Sequence, residues 1–248
     1  MKPYEYIDKF TIKYCDVNFK DEMKVSTALA LMEEVACASA DELGFGQAYI
    51  RPRGYAFFVS NIYLECLNPI PLGETVLVKT WPSVPSHVVF GREYQFESEC
   101  GQPLINATSR WCLLDRNTGK LLQSKAVDNQ NYATYNTRKL FEDLKWKIPV
   151  FPLEKGEFRF MLMIANSEYD HNMHVNNTRY AEYCFNCFSV DELSKKKLKS
   201  FQISYVKQCK EGDVLRFYRQ NVEKEEYFIQ GYNQKEELVI QSRMMFEE

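Results

Sequence analysis

The chain has 248 residues, a net charge of −3, 45% hydrophobic residues and 15% aromatics. That supply of apolar side chains excludes a disordered chain, and the slight acidity excludes a general nucleic-acid binder, which works through a basic field. Met1 to Tyr6 has no apolar signal-peptide core and no apolar run reaches membrane-span length, so the eight cysteines are expected as reduced thiols in a cytoplasmic protein.

Residues 5–15 alternate as a strand through Tyr6, Asp8, Phe10, Ile12 and Tyr14. A polar turn from Asp16 to Glu22 leads to a helix over Ser26 to Leu43, with Leu29, Met32, Ala36 and Ala40 on one face and Gly44 as its stop. Strands are predicted over residues 55–68, 75–81, 88–98 and 105–114. The second half repeats this order, with a strand over 158–164, a polar connection over 170–177 and a helix over 178–193. Strands over 199–209, 214–221, 226–233 and 238–246 complete it. Residues 126–156 fit neither half. They are polar, then bear Pro149 and Pro152, and read as a connector with a short helix over 139–146.

A shift of 150 positions aligns the two predicted helices without a gap: Cys37 meets Cys187, Ser39 meets Ser189, and Asp41-Glu42-Leu43 meets Asp191-Glu192-Leu193. The chain is therefore expected to be a tandem repeat of the α+β class, each unit a long helix wrapped by an antiparallel sheet. The expected domains are 1–125 and 157–248, joined by 126–156.

Two of the three histidines, His171 and His174, fall in the run Asp170-His171-Asn172-Met173-His174-Val175-Asn176-Asn177. If this connection is extended, the alternating Asp170, Asn172 and His174 share a side. They would combine a carboxylate, an amide and an imidazole suited to general base catalysis beside a helix N-terminus that favours a developing oxyanion. The plainer reading is a capping loop with Asn176 or Asn177 as the cap. Under the 150-position shift His174 meets Lys24 and Asn172 meets Glu22, so the first unit lacks the imidazole. Asp170, His171 and His174 are potential metal ligands without a recognised ligand frame, and Cys184 and Cys187 read as core thiols of the helix. Cys209, after Gln208, is either a nucleophile or a small buried residue. The Lys195–Lys199 run is either a solvated face or a dock for an acidic partner, with Arg51 and Arg53 as further cations.

The string Asp170-x-Asn172-x-His174-Val175-Asn176-Asn177-x-x-Tyr180, two such units in one chain and the Trp111-Cys112-Leu113-Leu114-Asp115 strand end resemble the acyl-acyl carrier protein thioesterases of plant plastids and bacteria. The resemblance implies a double hotdog fold and hydrolysis of fatty acyl thioesters on acyl carrier protein; separately, without a ligand frame, no cofactor or metal is expected. It gives Asp170, Asn172 and His174 catalytic roles, and the acyl chain to the first unit, where Leu29, Met32, Phe57 and Phe58 are candidates. Many members carry Glu where this chain has Gln208, beside a Cys matched by Cys209. The expected mechanism has His174 as general base assisted by Asp170, Asn172 holding substrate and Gln208 positioning water, with Cys209 as the competing nucleophile. The expected partner is acyl carrier protein, with no nucleic acid and no membrane span, on a monomer or homodimer. Two other readings stand beside it: a thioesterase for coenzyme A esters, and a silent acyl-binding protein.

Overall fold

The structure, a computed structural model, describes residues 3–127 and 136–247. The chain divides into two compact units, Met1–Leu144 and Lys145–Glu248.

The first unit contains β1 (Tyr6–Thr11), α1 (Val25–Glu42), α2 (Gln47–Ile50), β2 (Tyr55–Cys66), β3 (Thr75–Pro82), β4 (Val89–Ser98), β5 (Pro103–Asp115) and the short β6 (Leu121–Leu122). Its strands are antiparallel in the order β1-β3-β4-β5-β2, with β6 on the free end of β5. α1 buries Ala28, Leu29, Met32, Val35, Ala36 and Ser39, the helical spacing of one face. It packs on β3, where Val76 and Val78 are fully buried. Gly44, at φ +82°, ends the helix. Its left-handed backbone lets Phe45 N–H reach Ala40 O at 3.0 Å and Phe45 enter the core.

The second unit contains β7 (Glu157–Met163), α3 (Asn177–Phe185), α4 (Val190–Ser194), β8 (Leu198–Tyr205), β9 (Val214–Glu223), β10 (Glu226–Tyr232) and β11 (Leu238–Phe246). The order β7-β9-β10-β11-β8 reproduces the connectivity of the first sheet. Its core is aromatic: Phe160 stacks on Phe217 at 4.9 Å, and Tyr183 meets Phe217 edge-on at 5.7 Å.

Four expectations need correction. The helix predicted over 178–193 is broken after Phe185, because Ser189 and Glu192 form a capping box: Ser189 Oγ accepts Glu192 N–H at 3.1 Å, and Glu192 Oε2 accepts Ser189 N–H at 2.7 Å. The break lets Phe188 turn onto Tyr227 and Phe246, at 5.0 and 5.4 Å.

Residues 139–146 form no helix, because their backbone groups serve strand side chains instead. In the first unit Trp81 Nε1 donates to Arg138 O at 2.8 Å, and Leu140 N–H donates to Glu93 Oε2 at 3.3 Å. In the second, Gln202 Nε2 donates to Lys145 O and Trp146 O at 3.0 Å, and Gln241 Nε2 to Ile148 O at 3.3 Å. The Gln230 amide, oriented with its nitrogen toward Phe151 O (3.1 Å) and its oxygen toward Phe151 N (2.7 Å), adds a third anchor on a neighbouring strand.

The strand expected to reach Cys209 stops at Tyr205. Val206 N–H and Lys207 N–H both turn to Val239 O, at 2.9 and 3.0 Å, which ends the ladder.

Finally, the structural register of the repeat is 152 positions, not 150, over the strand, loop and helix start. Ile12 and Ile164 make matching bonds to the turns at Gly73 and Gly212, the bridge Val17–Met23 matches Tyr169–Val175, and Lys24 matches Asn176 as N-cap. His174 therefore corresponds to Glu22 and Asn172 to Lys20. The two-residue slip is hidden from an ungapped alignment because α3 ends early and α4 restarts at Ser189.

Candidate active site

The segment that carries Asp170, Asn172 and His174 is a tight loop, not an extended strand. Asp170 N–H donates to His174 O at 2.8 Å, Met173 N–H donates to Asp170 O at 3.1 Å, and Met173 sits at φ +61°. The cause is the Asp170 carboxylate. Its Oδ1 accepts the backbone N–H of Asn172 at 2.8 Å and of His174 at 3.2 Å, so the side chain competes for the donors a strand would need. The expected shared strand face is lost. The three residues are instead gathered by the curvature of one turn. Asn172 and His174 are half-buried, whereas His171 and Met173 project into solvent.

Two residues on, Asn176 caps α3: its Oδ1 accepts Thr178 N–H at 2.9 Å and the Thr178 hydroxyl at 2.7 Å. Of the two expected caps, Asn176 serves and Asn177 opens the helix. Tyr205, at the end of β8, donates its hydroxyl to Asn177 O at 3.1 Å and meets the Tyr180 ring edge-on at 5.9 Å. Tyr180 is buried, with its hydroxyl beside the Cys209 thiol. The first turn of α3 and the 206–209 loop are thereby brought together. Tyr169 adds a second tie: its hydroxyl oxygen accepts Glu211 N–H at 2.6 Å. Sequence reasoning gave Tyr180 no role and overlooked Tyr169 and Tyr205. The spacing of Tyr180, one helical turn after Asn176, was the available signal.

Cys209 is 3% exposed, and burial pushes its thiol up to about 11 against the smaller opposing effect of the Tyr180 hydroxyl. Burial likewise raises the Tyr180 phenol, with the Cys209 thiol adding to the shift. Gln208 is exposed beside it. Cys184 and Cys187 are completely buried free thiols, and burial pushes Cys184 up to about 12. Among the described residues no group of three or more His, Cys, Asp or Glu side chains is arranged to hold a metal ion, and no helix is long and apolar enough to cross a membrane.

The lysine run is largely neutralised within the chain. Lys195 pairs with Asp191 at 2.7 Å, Lys197 with Glu247 at 2.8 Å, and Lys196 with Glu225. In the first unit, Arg53 lies over the Tyr49 ring at 3.9 Å. Of the candidate acyl-chain residues, Leu29 and Met32 are each 2% exposed, and Phe57 packs edge-on to Phe45 and Phe90.

Comparison with known proteins gives a consistent picture. The acyl-ACP thioesterase N-terminal domain model matches residues 3–132, and the C-terminal domain model matches residues 157–245. The oleoyl-acyl carrier protein thioesterase 1 of Arabidopsis thaliana chloroplasts is 22% identical over 225 residues, 85% of this chain and 62% of that protein. A chloroplastic acyl-[acyl-carrier-protein] hydrolase of Cuphea viscosissima is 24% identical over 217 residues, 83% of this chain and 52% of that one. The chain thus spans about three fifths of the length of its Arabidopsis relative. An acyl-ACP thioesterase from Bacteroides thetaiotaomicron superposes with a TM-score of 0.89, at 22% identity and 98% coverage of both chains. The 12:0-ACP thioesterase from Umbellularia californica superposes at 0.86, with 18% identity over 98% of this chain and 97% of that one. The fold is the double hotdog of the α+β class.

Proposed function

The chain belongs to the acyl-ACP thioesterase family, and on that premise we propose that it hydrolyses fatty acyl thioesters of acyl carrier protein at the Asp170–Asn176 loop. The observation that carries this reading is the loop itself, which holds a half-buried imidazole and amide immediately before a capped helix. In the proposed reaction His174 takes a proton from water as the water oxygen attacks the thioester carbon. The carbonyl π electrons move to oxygen, and the oxyanion is met by the Asn172 amide and the N-terminal dipole of α3. The intermediate collapses by breaking the C–S bond, and the imidazolium returns its proton to the departing thiolate. The products are a fatty acid and the free carrier thiol. A positioned base of this kind contributes roughly 10²–10⁴-fold.

Water, oriented by Gln208, is the attacking group in this proposal. The state of Cys209 supports that choice. With its thiol raised to about 11, about one molecule in ten thousand carries the thiolate at pH 7. Its burial beside Tyr180 suits a packing role. The neutralised lysine run gives no support to docking of an acidic carrier at Lys195–Lys199.

The test is hydrolysis of matched acyl groups on carrier protein and on coenzyme A, with wild type and His174→Ala. The expected result is a higher kcat/KM on carrier protein and a loss of roughly 10²-fold or more in the variant. A preference for the coenzyme A ester would overturn the substrate assignment. Full activity of His174→Ala would overturn the base.

A further inference from the structure

The first unit contains an internal control for the loop in the second. Asn18 stands where Asp170 stands in the 152-position register, and it makes the same set of bonds. Asn18 N–H donates to Glu22 O at 2.8 Å, and Asp21 N–H donates to Asn18 O at 3.1 Å. Asn18 Oδ1 accepts Lys20 N–H at 2.8 Å and Glu22 N–H at 3.3 Å. Asp21 sits at φ +57°, as Met173 sits at +61°. The loop shape is thus retained by a neutral amide where the reactive pair is gone: Lys20 and Glu22 form an ion pair at 3.1 Å in the positions of Asn172 and His174. An acceptor oxygen is what the two loops have in common. A carboxylate charge is not.

We propose that Asp170 is a positioning residue that serves through the acceptor geometry of Oδ1, fixing the backbone of Asn172 and His174, and that its negative charge is dispensable. The inference rests on the reading of Asn172 and His174 as the groups that meet the thioester. Asp170 fixes the two N–H groups on either side of Met173, so it sets the directions in which the Asn172 and His174 side chains leave the turn. Asn can do the same, because its amide oxygen lies where a carboxylate oxygen lies, while Ala supplies no acceptor. The carboxylate bonds are charge-assisted and stronger, so the exchange carries a small cost.

The experiment compares Asp170→Asn and Asp170→Ala in the full chain, with Asn18→Asp as the reciprocal exchange in the first unit. Three quantities are read: kcat and KM for acyl carrier protein, the pH profile of kcat/KM, and hydrogen exchange at the Asn172 and His174 amides. Asp170→Asn is expected to keep kcat within about threefold, the cost of losing charge assistance. It should also keep the acid limb of the pH profile in place and both amides protected. Asp170→Ala is expected to lose roughly 10²-fold in kcat, the scale of a misplaced catalytic group, with both amides exchanging faster. Asn18→Asp should fold and react as wild type. The inference is overturned if Asp170→Asn is as inactive as Asp170→Ala while its amides stay protected. It is equally overturned if the acid limb moves down by about one pH unit or more, which is the mark of a carboxylate charge tuning the imidazole. A wild type that does not hydrolyse the thioester, or a fully active His174→Ala, would instead fail the underlying reading.

Discussion

The hydroxyl oxygen of Tyr169 accepts the backbone N–H of Glu211 at 2.6 Å, tying the residue before Asp170 to the turn after Cys209. Chain segments 42 residues apart are thereby held in one register. Removing the hydroxyl in Tyr169→Phe leaves an exposed N–H that water can satisfy, so the stability loss should be small, about 0.5–1 kcal/mol. The kinetic effect should be larger than the thermal one, because the tie bears on the loop that presents His174. A several-fold fall in kcat with KM little changed is expected, read by steady-state kinetics beside a thermal melt.

Cys209 should be a slow thiol, as should the completely buried Cys184 and Cys187. Cys100 is exposed, and the Ser98 hydroxyl at 3.0 Å holds its thiol below the usual range. Iodoacetamide at pH 7.5 should therefore label Cys100 well before Cys209, followed by peptide mass spectrometry. Cys209→Ala should keep most of the activity, which a covalent mechanism would not allow. The alkaline limb follows by sign. The folded thiol titrates near 11 and the unfolded one near 9, so its contribution to stability is intact below pH 9 and is lost as pH rises from 9 towards 11.

The start of α4 makes the matching acid-side prediction. Burial opposes ionisation of Glu192, but the Ser189 N–H and the Arg219 guanidinium outweigh it and hold the carboxyl below its ordinary value of 4.5. A depressed carboxylate stabilises the fold above that value, and the benefit is lost as pH falls through the lower folded value. Melting temperature should therefore drop below pH 4.5 in wild type, and Glu192→Gln should flatten that limb. Ser189→Ala removes the other half of the capping box and should cost about 1 kcal/mol at neutral pH.

Gly231 tests the packing of the second core. A Cβ there would lie 2.6 Å from Ile240 Cγ2 and 2.8 Å from Phe217 Cε1. Phe217 is already held between Phe160 and Tyr183, so it has little room to yield. Gly231→Ala should destabilise by about 1–3 kcal/mol, measured by urea denaturation, without altering the loop at His174.

The strands and α1 were legible because their signals are local: alternation, a helical stripe and a glycine stop. The broken helix was misread because a helical apolar pattern runs through Ser189, while the capping box that interrupts it is a competing local preference of comparable strength. The loop at Asp170 was misread for a related reason. Alternating polar residues look extended until one counts the backbone donors a carboxylate can capture. The Tyr180–Cys209 and Tyr169–Glu211 ties join distant segments, and no spacing rule reveals them. The first-unit counterparts of Asn172 and His174 were placed two residues too far along, because the early end of α3 and the restart at Ser189 cancel in an ungapped alignment.

The anchoring of residues 145–151 has a practical consequence for cutting this chain. The C-terminal family match begins at residue 157, an inviting place to start an isolated second unit. Such a truncation would remove the backbone groups that serve Gln202, Gln230 and Gln241, which are 2%, 1% and 8% exposed. Each stranded amide that water cannot reach costs about 1–3 kcal/mol, a large share of the stability of a small domain. An excised unit that begins at Lys145 keeps these partners. One that begins at Glu157 would leave the three glutamine amides without these partners and expose the apolar surface under Ile148 and Phe151, and its insolubility would say nothing about whether the unit folds alone.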